Sequence, residues 1–533
     1  MDLITVDFET YYDRKFSLSK ITTEEYVRSD MFEVIGVGVK VNNKPTEWTS
    51  GTHEEIYGYL QTFDWANSMV VAHNNMFDSA ILNWRFDIEP RLFSCTLCIA
   101  RALHGVEVGG SLAAVAKRYS IGVKGTEVLD ALGKRREDFS AQELDAYGDY
   151  CINDVDLCYE LFKLMGRSYP KQELKLIDAT LRMFIEPVLD IDVEALQEHL
   201  TAIRSHKEQL IHSSGVTKDD LMSNAKFAAA LAEEGVDPPT KISLTTGKET
   251  YAFAKTDRGF QALLRHDTPA VKAMAEARLG VKSTLEETRT QRFIGIAGRG
   301  VLPVPIKYYA AHTGRWGGDD KINMQNLPSR GNKSLKDSIR APEGHTLIDC
   351  DSSQIEARVL AWLAGQDDLV ESFDKGEDVY KKMAADIYDV EVGDVTKEQR
   401  FVGKTAILGA GYGMGALRFK EQLKAQSGVD IETNEAQRII SVYRDSNWKI
   451  AQFWRDCQNM LTSMYNNDSA SIGTNNLISS IEQAIMLPSG LGMRYDDLDF
   501  EQGERGKEFS YLTRNGRTRI YGGKVTENVC QAV

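Results

Sequence analysis

The chain has 533 residues, and 63 Lys and Arg against 78 Asp and Glu leave a net charge of −15. Hydrophobic residues make up 42% and charged residues 26%, which excludes a disordered chain, and ~100–200 residues per domain gives room for about three or four domains. No apolar run approaches the ~18 residues of a membrane span, the start Met1-Asp2-Leu3-Ile4-Thr5-Val6-Asp7 carries acid where a signal peptide carries base, and seven cysteines in this length argue against a disulfide framework.

The acidic balance weighs against a non-specific nucleic-acid coat. It leaves a nucleic-acid enzyme open, because binding depends on where the bases cluster. Residues 2–8 read as a strand with Leu3, Thr5 and Asp7 on one face. Phe32–Val41 and Met69–Ala72 read as two more, and helical patterns then dominate to about residue 165, the pattern of an α/β domain. Cys95 and Cys98 form a single C-x-x-C inside SCTLCIARALHG, which reads as helix; no second pair follows at zinc spacing, so both are expected to be ordinary thiols. From about 166 to 300 the chain reads as charged helices punctuated by Pro187, Pro238-Pro239 and Gly247. Residues 300–340 read as an extended connection. HTLIDCD is expected as a strand running directly into the helix SQIEARVLAWLAG, with further helices to about 485. The tail from Met486 reads as short strands, with Leu487-Pro488-Ser489-Gly490 as a turn.

Asp7 and Glu9 lie two apart on the first strand and share a face. Alone, the pair reads as two solvated acids. Facing inward, it would need a positive neighbour, and a hard divalent cation with oxygen ligands would serve. Asn74 and Asp78 follow the third strand, and Tyr150 and Asp154, four apart, share a helix face. Four carboxylates and a tyrosine from three segments suit two-metal phosphodiester hydrolysis. In this order, D-x-E, N-x-x-x-D and Y-x-x-x-D resemble the tyrosine-containing branch of the proofreading 3′–5′ exonuclease superfamily. That resemblance implies that Asp7, Glu9, Asp78 and Asp154 hold two metal ions and that Tyr150 positions the water.

A second constellation begins at Asp351-Ser352-Ser353-Gln354-Ile355-Glu356-Ala357-Arg358, where Asp or Ser before a helix is either a metal ligand or an ordinary N-cap. In EQRFVGKTAILGAGYGMG, Arg400, Lys404 and Leu408 recur at four-residue intervals and line one helix face, suited to a chain of phosphates. Gly403-Lys404-Thr405 mimics the end of a P-loop, but Glu398 stands where that motif needs glycine. Gly409, Gly411 and Gly413 mimic a dinucleotide loop but follow a helix pattern.

Taken together, D-x-S-Q-I-E-x-R and R-x-x-x-K-x-x-x-L-G-x-x-Y-G resemble the family A DNA polymerases, the family of bacterial DNA polymerase I. Thr313-Gly314-Arg315 and Gln325-Asn326-Leu327-Pro328 upstream, and Leu487–Gly490, Tyr521-Gly522-Gly523-Lys524, Asn528 and Gln531 downstream, extend the similarity over essentially the whole chain. The resemblance implies a multidomain α/β and α+β chain, with a ribonuclease H-like exonuclease domain followed by a right-hand polymerase domain of palm, thumb and fingers. The boundaries expected are 1–165 exonuclease, 166–340 start of palm and thumb, 341–365 palm strand and helix, 366–485 fingers and 486–533 palm return.

By the same resemblance Asp351 is one of two metal-binding carboxylates, and Arg400 and Lys404 bind the triphosphate, with Lys404 also able to protonate pyrophosphate. Tyr412 stacks near the templating position, Glu356 blocks a ribose 2′-hydroxyl, Arg315 reads the primer end, and Gln354, Leu408, Gln325 and Asn326 complete the substrate contacts. The implied cofactor is Mg²⁺, two ions per site, with Mn²⁺ an alternative. The implied partners are primer-template DNA and deoxynucleoside triphosphates, with a processivity factor or helicase open; no membrane is implied, and the place is the cytoplasm, the host's if the chain is phage-encoded.

Four departures stand out. Leu408 replaces an aromatic, Ser352 follows Asp351 where an aromatic is common, and Tyr380 replaces a histidine. No His-Asp-Glu block follows before Cys530-Gln531-Ala532-Val533, and Tyr495-Asp496-Asp497 comes too early, so it reads as a polar turn. The polymerase site is expected to be completed by a second polypeptide or a trimmed segment, or else to be inert. The chain opens on the exonuclease strand with no 5′-nuclease domain before it, a layout that resembles phage replication polymerases. The alternative reading is a 3′–5′ exonuclease whose polymerase-like region only holds DNA. A non-catalytic replisome subunit is the third. Finally, Arg278, Lys282, Arg289 and Arg292 fall within about an 80° sector of one continuous helix. They form either a stripe that tracks a DNA backbone or a solvated face.

Overall fold

A computed structural model describes residues 1–125, 130–243, 246–328, 331–503 and 506–533. The chain divides into two compact units, one of residues 1–185, 305–321 and 349–533, the other of residues 186–304 and 322–348.

The first unit opens with a five-stranded sheet built around β1 (Asp2–Thr10). Then come α1 (Thr23–Arg28), β2 (Val34–Val41), β3 (Glu47–Thr49), α2 (His53–Leu60), β4 (Ser68–Ala72), α3 (Met76–Phe86), β5 (Leu92–Cys95), α4 (Thr96–His104), α5 (Leu112–Tyr119), α6 (Ala141–Gly166) and α7 (Lys171–Ile185). The sheet order is β3-β2-β1-β4-β5; β1 pairs antiparallel with β2 and parallel with β4. Alternate residues of a strand point to opposite faces, and both faces of β1 are buried, with Ile4, Val6 and Phe8 on one and Thr5 and Glu9 on the other. α6 starts at Ser140, whose side chain accepts from the Glu143 amide while Glu143 reaches back to the Ser140 amide, a reciprocal cap. Tyr147, Cys151, Asp154 and Cys158 recur on its buried face at helical spacing. Gly38 on β2 lets that face close in, since a Cβ there would stand 2.9 Å from Cys151 Sγ.

The remainder of this unit is mostly helical. Ile355–Ala364, Val379–Tyr388, Lys397–Thr405, Thr433–Ser446 and Trp448–Asn466 are among its helices, and Gly522–Ala532 closes it against Trp448–Asn466. The central run of α-helices stops at Asn466, short of the expected 485: Ser471–Ile472, Ile478–Ile481, Ala484–Met486 and Gly492–Arg494 form an antiparallel sheet. Ile478-Ser479-Ser480-Ile481 buries its first and third residues, but the third is a serine and the exposed fourth an isoleucine, so the residue types show no alternation. The Leu487–Gly490 turn is present, with the Gly490 amide donating to the Leu487 carbonyl at 2.9 Å. Asp496 and Asp497 form a turn held by Arg494 and Arg517, whereas Tyr495 is wholly buried.

Three further expectations are corrected. HTLIDCD makes no ladder among the described residues; residues 345–353 run exposed into the helix that starts at Ile355. A strand needs a neighbour's amides and carbonyls, and none lies alongside, so Leu347 and Ile348 stay in water. Cys95 ends strand β5 and helix α4 begins only at Thr96; both thiols are buried.

The third correction lies in the second unit, where Asn224–Glu233 and Pro269–Lys282 pack around Phe227, Leu231, Phe260, Val271 and Met274, and Val193–Ser214 and Leu285–Arg299 meet through Leu196, Phe293 and Ile296. The helix expected through residues 278–292 is broken at Ser283–Thr284, which removes the common phase of the four cations. Arg278 is a core residue: it donates to the Leu221 carbonyl and the Asn224 side chain and lies over the Phe227 and Phe253 rings. Arg289 donates to the Asn326 carbonyl at 3.2 Å.

Candidate active sites

At the first site the sheet and two helices bring acids together. Asp7 and Glu9 project from β1 towards α6, and Asp78, on α3, accepts from the Phe8 amide at 3.1 Å. Asp154 and Tyr150 are both buried on α6. Burial is the main cause that raises the carboxyls of Asp7, Glu9 and Asp78 above the ordinary range. Repulsion from Asp7 adds to it at Glu9 and Asp78, and Lys124 opposes it at Asp7 and Glu9. The Lys124 ammonium pairs with Asp154 Oδ2 and lies 4.6 Å from the Tyr150 ring centre. Asp154 Oδ1 is buried with no hydrogen-bond partner among the described residues.

Buried carboxylates in mutual repulsion, with one oxygen unmatched, are costly as they stand and suited to a cation. The residue types and the orphaned oxygen therefore fit divalent metal ions held by Asp7, Glu9, Asp78 and Asp154. Two contributors were not found from the sequence. Cys151 sits beside Asp7, and its position one residue after Tyr150 and three before Asp154 was a usable signal. Lys124 comes from a glycine-flanked loop without periodicity, so nothing marked it.

The second site is assembled on Lys397–Thr405 and its continuation Ala406–Ala410, a π-helical turn of the kind that recurs at functional sites. Arg400 and Lys404 are half-buried and Leu408 is exposed, whereas Val402, Gly403, Thr405, Ala406 and Ile407 are buried. The expected face is thus the accessible one. Arg400 Nε donates to Asp378 Oδ2 at 2.7 Å, and the guanidinium lies 5.3 Å from the Tyr380 ring centre. Gly403 lets this helix touch Val379–Tyr388 backbone to backbone, since a Cβ there would meet the Tyr380 carbonyl oxygen at 2.2 Å.

Glu356 neither pairs with Arg358 nor with Lys404. It binds the Arg315 guanidinium, and the Tyr412 hydroxyl donates to its other oxygen at 3.2 Å. Arg358 instead donates to the Ser353 carbonyl and covers Phe373. Gln354 adopts the left-handed conformation at φ 56°, and its Oε1 is buried without a partner among the described residues. Asp351 is exposed on the extended segment and does not end a strand as HTLIDCD led one to expect. Gln325 and Asn326 lie in the second unit on a short 3₁₀ turn, Met324–Asn326.

Comparison with known proteins bears on the two domains. The profile of DNA polymerase family A matches residues 192–480, and a 3′–5′ exonuclease profile matches residues 9–169. A DNA polymerase of Bacillus phage SP02 is 24% identical over 605 aligned residues, covering 100% of this chain and 89% of the phage protein. DNA polymerase I of Pseudomonas aeruginosa is 36% identical over 332 residues, but those cover 60% of this chain and 35% of that protein. The polymerase domain of Pol1 from M. smegmatis, solved in complex with DNA primer-template and dNTP, shares the fold at a TM-score of 0.62 and 17% identity, over 99% of this chain and 81% of that one. No helix among the described residues is long and apolar enough to cross a membrane. The chain belongs to DNA polymerase family A and carries a 3′–5′ exonuclease domain at its N-terminal end.

Proposed function

We propose that this chain extends a DNA primer on a template and removes mispaired 3′ ends, in phage or bacterial replication, in the cytoplasm. The observation that carries the reading is the accessible helix face of Arg400, Lys404 and Leu408, in a chain that also gathers Asp7, Glu9, Asp78 and Asp154. Residues 1–165 serve as the exonuclease, 166–340 as the start of palm and thumb, 341–365 as palm, 366–485 as fingers and 486–533 as the palm return.

Mg²⁺, or Mn²⁺ in its place, supplies charge stabilisation and a lowered pKa for the attacking oxygen when bound. The residues of the chain do the rest. In the exonuclease, Asp7, Glu9, Asp78 and Asp154 hold the ions and the Tyr150 hydroxyl orients water. In the polymerase, Asp351 is a metal ligand, and Arg400 and Lys404 neutralise the triphosphate. Lys404 is placed to give a proton to departing pyrophosphate. Arg315 and Tyr412 fix the Glu356 carboxylate so that it stands against a ribose 2′-hydroxyl. Leu408 covers the nucleotide without a ring face, while Gln354, Gln325 and Asn326 contact the substrates.

Primer-template DNA and deoxynucleoside triphosphates are the partners, with a processivity factor or helicase beside them. A segment or second polypeptide bearing His-Asp-Glu would complete the metal site at Asp351, and the unladdered residues 345–351 offer it backbone to pair with. The same exposed segment favours one alternative, an exonuclease whose polymerase-like region only holds DNA.

The test is primer extension and degradation with Mg²⁺, with and without deoxynucleotides, beside an Asp7→Ala, Glu9→Ala double variant. With a polypeptide bearing His-Asp-Glu supplied, wild type should degrade and extend, and the double variant should extend only, with hydrolysis down by about two to three orders of magnitude or more. A wild type that degrades but never extends, with an inert double variant, would leave the exonuclease alternative.

A further inference from the structure

The exonuclease centre holds a group that the oxygen chemistry of a hard ion does not use. Cys151 Sγ donates to the Asp7 carbonyl at 3.4 Å and to Asp7 Oδ2 at 3.7 Å. Asp7, Glu9 and Cys151 each offer a ligand atom within 4.8 Å of the other two. Among the described residues no other three His, Cys, Asp or Glu gather in this way. The thiol is buried and is backed by Gly38, on which a side chain would displace it.

Mg²⁺ takes oxygen ligands, whereas Zn²⁺ and its heavier congener Cd²⁺ accept thiolate with carboxylate. A tetrahedral zinc ion with sulfur at about 2.3 Å and oxygen at about 2.0–2.2 Å sets its sulfur and oxygen about 3.5–3.7 Å apart. The 3.7 Å between Sγ and Asp7 Oδ2 matches that edge.

We propose that Asp7, Glu9 and Cys151 form a mixed carboxylate–thiolate site that takes a thiophilic divalent cation in place of the hard ion. The inference rests on the reading of this centre as a metal site. On coordination the thiol proton passes to solvent, and the sulfur–metal bond takes its place. A thiophilic ion at this position occupies the carboxylates that hydrolysis needs, so zinc at low concentration should compete with Mg²⁺ in the nuclease.

The full chain, free of DNA, is titrated with cadmium chloride and followed by the ultraviolet sulfur-to-cadmium charge-transfer band. Cys151→Ser and Asp7→Asn are run beside it, with circular dichroism as the folding control. Wild type should show a saturable band that zinc chloride displaces. Cys151→Ser should lack it, and Asp7→Asn should need on the order of tenfold to a hundredfold more cadmium. A band of undiminished size in Cys151→Ser places the cadmium on other thiols, such as the exposed Cys350 or the Cys95–Cys98 pair, and overturns the proposal. Should Cys151→Ser fail to fold, Asp7→Asn decides, since unchanged cadmium affinity there is equally fatal. A wild type that degrades DNA with Mg²⁺ yet gives no Asp7-dependent band fails this inference and leaves the exonuclease reading standing. A wild type that gives the band and hydrolyses nothing with Mg²⁺ or Mn²⁺ fails the exonuclease reading instead.

Discussion

Gly403→Ala is the smallest change that separates the two proposed activities. Gly403 stands between Arg400 and Lys404 and faces the neighbouring helix Val379–Tyr388. An added Cβ would lie 2.2 Å from the Tyr380 carbonyl oxygen, 2.9 Å from the Ala384 nitrogen and 3.1 Å from the Ala384 Cβ. Two of these are backbone atoms, so no side chain can swing aside. Ordinary contact begins near 3.4 Å, so the helices must part by about 1 Å. The shift also strains the Arg400–Asp378 pair, because Asp378 caps the helix that would move.

Overpacking of this kind costs about 1–3 kcal/mol of stability. A catalytic group displaced by about 1 Å can lose about a hundredfold in rate. Gly403→Ala should therefore slow single-turnover nucleotide incorporation by about that factor. Degradation of single-stranded DNA by the same preparation should stay at the wild-type rate, because the carboxylates sit on β1, α3 and α6. Equal incorporation by variant and wild type, with thermal stability unchanged, would refute the claim that this backbone contact sets Arg400 and Lys404. Equal loss of both activities would mean that the unit had unfolded.

Two further outcomes are expected. His73 is held neutral by burial, which pushes its imidazole down to about 4 from 6.5, and its nitrogens meet Thr96 Oγ1 and the Gly110 carbonyl at 2.9 Å. Below 6.5 the unfolded chain binds the proton and the folded chain does not, so stability present above 6.5 is lost as pH falls towards 4, by up to about 3 kcal/mol; hydrogen exchange on β4 should report this loss, and His73→Gln should remove it. Arg278→Met should destabilise the second unit by about 1–3 kcal/mol through orphaned acceptors and leave the salt dependence of DNA binding unchanged; a reduced salt slope with intact stability would restore Arg278 to a DNA-facing role.

The exonuclease sheet was readable because its signals are local. β1 and β2 announce themselves by apolar alternation and β4 by a short apolar run, and D-x-E fixes a shared face without any tertiary information. α6 likewise declares that Tyr150 and Asp154 are neighbours. The failures came where a neighbour decides. His345–Asp351 has the composition of a strand but no ladder beside it, and composition cannot supply one. Arg278 counted as a surface cation until Phe227, Phe253 and the Leu221 carbonyl closed around it. The Glu356–Arg315 pair joins residues 41 apart in sequence, beyond any helical spacing rule. Lys124 illustrates the same limit in a loop, where only the fold brings it to Asp154.

The two proposed metal positions differ in electrostatic state, and that difference orders their affinities. Glu9, Asp78 and Asp154 are buried, with a desolvation cost that Lys124 offsets only in part. A cation entering there relieves repulsion already present in the fold. Asp351 is exposed, so an ion binding to it must give up water for little return. In a calorimetric titration with Mn²⁺ and no DNA, the tight binding event should therefore belong to the exonuclease carboxylates. It should vanish in Asp7→Asn, Glu9→Gln and persist in Asp351→Asn. It should also strengthen as pH rises through about 6 to about 8, because Asp7 and Glu9 shed in that range the protons with which a metal competes. A tight event that survives the first variant and disappears in the second would invert the argument. It would mean that residues around 351 rearrange into a buried site before any DNA arrives.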